Sequence, residues 1–190
     1  MSTVPRRVAL PNGSWGVAVF VATEAALFGC LIASYFFLRS KASAWPPGEI
    51  EPPKVLLPLV LTGILVATSG PIQVASVAAR RGRAGLAALS LLVALVVQAA
   101  YFGVQAHLYA DELTKFPPQE SAYGSIYFTL LGAHHAHVLF GILLALWLVL
   151  RLLTGLTPYR TTAVQAIAFY WHFVNALAVV VVLTQLSPSL

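Results

Sequence analysis

Five long apolar stretches, at roughly 15–38, 55–79, 86–108, 123–150 and 161–186, are separated by short polar segments rich in proline, glycine and arginine. Each reaches the ~20 residues a helix needs to cross a hydrocarbon core. Within lipid, only helices and closed barrels satisfy every backbone polar group internally. The pattern predicts an all-α fold: an integral membrane bundle of five transmembrane helices in one transmembrane domain, residues 1–190. The first stretch follows "PNGS", where Asn12 or Ser14 can cap a helix, and ends at Arg39 before "AWPPGEIEPPK", read as an extended loop. The second holds "TSGP" at 68–71; Pro71 removes a backbone hydrogen bond, so a kink is expected there, with Thr68 or Ser69 re-satisfying the freed carbonyls. The short turn "RRGRAG" makes the second and third stretches antiparallel neighbours, "ADELTKFPPQES" reads as an acidic loop, and "TGLTPYR" joins the last two.

Small residues recur four apart at Gly29 and Ala33, Gly63 and Ala67, Gly132 and Ala136, and Gly141 and Ala145. This spacing lets helix backbones approach closely in lipid. The opening "MSTVPRR" and apolar run look like a signal peptide, but the run outlasts the usual 7–15 residues and carries Glu24, so it is read as a retained first helix.

Composition agrees. The chain is 59% hydrophobic and 9% charged, against about 25% charged in soluble domains, and its mean hydropathy is +0.84. The five stretches leave no room for a separate soluble domain. A net charge of +5 and a pI near 9.7 do not point to nucleic acid, because in a membrane chain the placement of Lys and Arg matters more than their sum. With the N-terminus inside, seven cations lie inside: Arg6, Arg7, Arg80, Arg81, Arg83, Arg151 and Arg160. Four lie outside, Arg39, Lys41, Lys54 and Lys115, among Glu49, Glu51, Asp111, Glu112 and Glu120. The orientation expected is N-terminus inside, C-terminus outside. The single cysteine, Cys30, excludes disulfides within the chain and cysteine-rich metal sites.

Polar groups inside the spans need a reason. Glu24 is the only acid there and lies about 13 Å beyond Trp15 at the helical rise. An ionised carboxylate is costly at that depth, so it is expected to be protonated or paired within the bundle. "GAHHAHVLFG" sets His134 and His137 about 60° apart on their helix, with His135 pointing away from His137. The ferritin-like metal pattern needs several inward carboxylates; with one, the histidines read better as a hydrogen-bonded polar cluster. His172 and His134 each lie about 16 Å into their spans, near the depth of Glu24, and Asn175 is one turn from His172 on the same face. Depth alone suggests one buried carboxyl–imidazole network joining three helices. His107 falls at a helix end, and Trp15, Trp147, Tyr101, Tyr109, Tyr123 and Tyr159 read as interfacial anchors.

Three segments carry a resemblance. "WGVAVFVATEAALFGCLIASYFFLR" at 15–39 looks like the helix of haem-copper oxidase subunit III with a buried glutamate. "YGSIYFTLLGAHHAHVLFG" at 123–141 resembles that family's Y-x-S-x-x-F-T-x-x-G-x-H-x-x-H-V-x-x-G helix, and "FYWHFVN" at 169–175 its Y-W-H-F-V-D segment. The resemblance covers all five stretches. It implies an accessory, non-redox subunit similar to cytochrome c oxidase subunit 3, with no catalytic centre, haem, copper or other metal of its own. Haem and copper are then expected in partner subunits: catalytic subunit I, on which it packs, and subunit II. It also implies bound phospholipid, support of proton uptake and stable turnover during reduction of dioxygen to water, cytochrome c as donor, and a place in the bacterial cell membrane. Glu24 matches the carbodiimide-reactive glutamate, His134 and His137 the paired histidines, and His172 the Y-W-H histidine.

The match has departures. Full-length members have seven helices, and the first two have no counterpart here, so the family's lipid cleft is incomplete in this chain. Five-helix bacterial forms occur, including in quinol oxidases. His135 stands where Gly is frequent, Asn175 where Asp is, and Leu108, after Gln105, where Glu is. A quinol oxidase or a nitric-oxide-reductase-associated relative would share most of the motifs. Outside the family, the residues also suit a haem-bearing anchor using two of His107, His134, His137 and His172, or a small proton-coupled transporter built on Glu24.

Overall fold

A computed structural model of the chain describes residues 12–48 and 50–189, with side chains from Trp15 onward. Arg6, Arg7, the capping side chains of Asn12 and Ser14, and Glu49 lie outside the described groups. The helices are α1 (Asn12–Lys41), α2 (Leu56–Ala67), α3 (Ser69–Arg80), α4 (Ala84–Lys115), α5 (Ala122–Leu152) and α6 (Pro158–Leu186). Because α2 and α3 form one interrupted span, the described residues hold five helices long and apolar enough to cross a membrane. All five expected spans are present.

Their ends and breaks differ from the sequence reading in three places. The break falls at Thr68, not Pro71. Thr68 donates its backbone N–H to Leu65 O at 3.1 Å and its hydroxyl to the same oxygen at 2.6 Å, which tightens the last turn of α2. Pro71 then sits in the first turn of α3, where a missing N–H leaves no intrahelical bond unmade. The first half of the supposed acidic loop after the third span is helix: α4 runs on to Lys115, helped by an Asp111–Lys115 pair one turn apart, and stops at Phe116 ahead of Pro117 and Pro118. The proline-rich loop after α1 is folded back rather than extended. Trp45 packs edge-on between Tyr35 and Tyr123, with ring centroids 5.3 and 5.1 Å away.

α5 starts under a Ser121 cap that accepts from Gly124 N at 2.9 Å, and α6 starts under Thr157 with Pro158 in its first turn. Helices α3, α4, α5 and α6 form a four-membered ring, each packed on the next and α6 closing against α3. α2 continues α3 between α4 and α6. α1 lies outside the ring and, among the described helices, packs on α5 and α6. The side bearing the start of α1 and the α3–α4 and α5–α6 turns is called the near face; the side of the α1–α2 and α4–α5 loops is the far face.

Close approach of α5 and α6 rests on Gly141. A Cβ there would lie 2.7 Å from Trp171 Cζ2, an indole with no exposed surface. Gly132 similarly receives Tyr109 Oη. A Cβ at Gly29 or Gly63 would meet nothing within 4 Å among the described residues, so neither glycine serves a close helix approach within them. Tyr101 and Tyr123 are core residues, not interfacial anchors, whereas Trp15, Trp147 and Tyr159 are exposed as a belt requires.

Candidate functional site

Glu24 finds its partner across the α1–α5 contact. Its Oε2 lies 2.9 Å from His137 Nε2, with both side chains more than four-fifths buried. The other ring nitrogen, His137 Nδ1, is 2.7 Å from Ala133 O one turn back. A carbonyl oxygen can only accept, so Nδ1 carries a hydrogen. Nε2 therefore either accepts from a protonated Glu24 or, as imidazolium, donates to the carboxylate. One proton lies between the two atoms in either arrangement, and the pair is neutral overall. This is how a carboxyl group is accommodated in the middle of a span.

Aromatic rings enclose the pair. Phe28, one turn beyond Glu24, stands edge-on to the His137 ring at 5.2 Å and is almost wholly buried. Toward the near face, Phe20 stacks on Tyr170 at 6.2 Å, and Tyr170 donates its hydroxyl to His137 O at 2.8 Å. That bond ties α6 to the α5 backbone at the residue that pairs with Glu24. Below the rings an apolar cleft of about 390 Å³ opens between α1, α5 and α6, reaching Gly16, Trp147 and Tyr159.

A second polar centre lies inside the ring. Thr68 Oγ1 accepts from Gln98 Nε2 at 3.2 Å and lies 3.4 Å from Asn175 Nδ2, which also donates to Ser69 Oγ at 2.8 Å. The break between α2 and α3 thus presents two hydroxyls to α4 and α6 at mid-span. His172 points elsewhere: its Nε2 is 3.2 Å from Gln73 Oε1 on the outer side of the α3–α6 contact.

The residues singled out from the sequence are therefore divided. Glu24 and His137 meet. Asn175 belongs to the Thr68 centre, and His172 pairs with Gln73. His134 sits in the core with neither ring nitrogen bonded among the described residues, and His135 packs against the rings of Phe102 and Tyr109. The single network inferred from depth is two centres and an outlying pair, because equal depth leaves helix rotation undetermined. Gln98 and Tyr170 were missed, and Thr68 was read only as a partner for the carbonyls freed at the kink. Gln98, an amide in the apolar run "LLVALVVQAAYFG", carried the same signal as Glu24. Among the described residues no three His, Cys, Asp or Glu side chains converge as a metal site would require.

A multi-pass helical bundle with a neutral carboxyl–imidazole pair buried beside its outlying helix is the class these features define. The chain belongs to the cytochrome c oxidase subunit III family, whose model matches residues 7–186. It is similar to cytochrome c oxidase subunit 3 of Corynebacterium diphtheriae, 36% identical over 187 residues, covering 90% of this chain and 87% of that one. Similarity extends to cytochrome bo(3) ubiquinol oxidase subunit 3 of Pseudomonas aeruginosa, 33% identical over 171 residues, covering 86% and 79%. The probable cytochrome c oxidase subunit 3 of Nocardia farcinica is 31% identical over 169 residues, covering 85% and 81%. The chain is thus a subunit III of the haem-copper oxidase family, a multi-pass membrane component of a respiratory oxidase complex.

Proposed function

We propose that this chain is the accessory, non-redox subunit of a proton-translocating cytochrome c oxidase in a bacterial cell membrane. It packs on catalytic subunit I, which with subunit II holds the haem and copper, and it supports proton uptake and sustained turnover. The observation that carries this reading is the family match together with a buried Glu24–His137 pair that holds one proton at mid-span. The near-face turns carry five cations, Arg80, Arg81, Arg83, Arg151 and Arg160, against four on the far face, Arg39, Lys41, Lys54 and Lys115; this excess supports a cytoplasmic near face. The apolar cleft beside α1 has the lining for the acyl chain of a bound phospholipid.

The likeness to a ubiquinol oxidase subunit favours one second reading, in which quinol replaces cytochrome c as the donor to the same complex. The test is to tag the chain, purify it from native membranes in mild detergent, and record co-purifying subunits, the haem spectrum and oxygen consumption with each reductant. A haem-copper subunit in the eluate and oxidation of reduced cytochrome c are expected. Oxidation of quinol alone would transfer the reading to a quinol oxidase. A colourless chain that elutes by itself would overturn the accessory role and favour a proton-coupled transporter built on Glu24.

A further inference from the structure

The far face holds a cavity of about 950 Å³ that the oxidase reading does not use. Its mouth carries Glu51, Lys54, Asp111 and Glu120, and Tyr127 donates its hydroxyl to Glu112 Oε2 on its wall at 2.8 Å. It narrows to a floor formed by Leu61 of α2, Gln105 of α4, Leu131 of α5 and Val182 of α6. One helical turn further in, about 5.4 Å, the same helices present Leu65, Tyr101, His134 and Ala178, all buried. Another turn inward brings Thr68, Gln98 and Asn175. Beyond them toward the near face the ring is closed mainly by apolar residues, among them Ile72, Ala75, Leu91, Ala145 and Leu148, with Ser76 and Ser90 the buried hydroxyls there.

Unsatisfied polar atoms cluster along this column. Both ring nitrogens of His134, Nε2 of His135, Oγ1 of Thr62 beside the floor, and the amide oxygens of Gln98 and Asn175 are buried without a hydrogen-bond partner among the described residues. A neutral imidazole carries one donor and one acceptor, so His134 needs two partners, and an amide oxygen needs a donor. Protein interiors meet such needs with water wherever a polar, roomy site offers it two to four partners. Gln105 Nε2 donates to Tyr101 Oη at 3.0 Å, which leaves the Tyr101 hydroxyl hydrogen to be donated to another acceptor.

We infer that the α2–α6 ring holds a file of water that enters from the far-face cavity, hydrogen-bonds the His134 imidazole and ends at the Thr68–Gln98–Asn175 centre. The chain is then a half-channel: hydrated from the far face to mid-span and dry from there to the near face. The file is separate from the Glu24–His137 pair, which faces α1 outside the ring. It does not rest on the donor or on the oxidase role.

The test uses the full chain in its native membrane with Cys30→Ser as background. Single cysteines are placed at Leu131 on the floor, Ala178 level with His134, and Ala75 in the apolar seal. Ser43→Cys on the far loop and Thr154→Cys on a near turn, both at exposed positions, report which side each reagent reaches. A small, charged, impermeant thiol reagent reacts with the thiolate and so requires water at the thiol. L131C and A178C are expected to react from the far face only, faster than A75C by about 100-fold or more. Adding His134→Leu is expected to silence A178C while L131C still reacts. An A178C as inert as A75C, or one that reacts equally from the near face, would overturn the half-channel. Undiminished reaction of A178C beside His134→Leu would overturn the role of His134 in holding the file.

Discussion

Glu24 and His137 each occupy a position where an unpartnered polar group is expensive, and each supplies what the other lacks. Truncating one strands the other: Glu24→Leu leaves His137 Nε2 without a partner, at a cost of about 1–3 kcal/mol. Removing both is far milder, since two apolar side chains suit the surroundings of Phe28 and Tyr170. The expected order of Tm for the purified complex is wild type first, then Glu24→Leu/His137→Leu, with Glu24→Leu lowest. A double mutant that loses the sum of what Glu24→Leu and His137→Leu lose singly would show that the two groups do not interact. Glu24 was legible in the sequence as the lone acid within a span, and both histidines were legible as polar intrusions. Which histidine would meet it was not, because His134 and His137 differ by only about 60° around α5.

At the scale of elements, the contact between α5 and α6 depends on one missing methyl group. Gly141→Ala drives its Cβ to within 2.7 Å of Trp171 Cζ2, and the indole is fully buried. Overpacking of this kind costs about 1–3 kcal/mol, and thermal unfolding of the complex should show a lowered Tm. Gly29→Ala is the control: nothing lies within 4 Å of its Cβ, and replacing a mid-helix glycine stabilises by up to about 1 kcal/mol. Equal loss at both positions would refute the packing account. The two glycines look alike in sequence, each followed four residues later by alanine. The interrupted span makes a related point: proline announced a break near 68–71, but its site was settled by the Thr68 hydroxyl folding onto Leu65 O and receiving Gln98 from α4.

For the whole molecule, the ring and α1 differ in how firmly they are held. In the most apolar window of α6, 56% of residues are buried within the chain, against 6% in α1. α1 is fastened by the Glu24–His137 pair at mid-span and by Arg39, which donates to Ser187 Oγ at 2.6 Å at the far end. Hydrogen exchange followed by mass spectrometry on the subunit in detergent should show protection lost from α1 before any helix of the ring. Simultaneous loss across all the helices would mean that the bundle opens as one unit.

Lipid physics explains how much of this could be read from the chain alone. Apolar runs of sufficient length, with backbone groups that only a helix can satisfy internally, were enough to define five spans. The depth of Glu24 followed from the helical rise, and three quoted segments pointed to the family. Rotation of each helix about its axis did not follow. In water an amphipathic stripe marks the buried face of a helix, but here the surroundings are as apolar as the core, so no stripe separates inside from outside. Only tertiary packing could choose His137 for Glu24 where α1 meets α5, turn His172 toward Gln73 where α6 meets α3, and leave His134 in the core beneath the far-face cavity. The same blindness hid the centre at Thr68, whose members come from separate helices and meet only once the ring has closed.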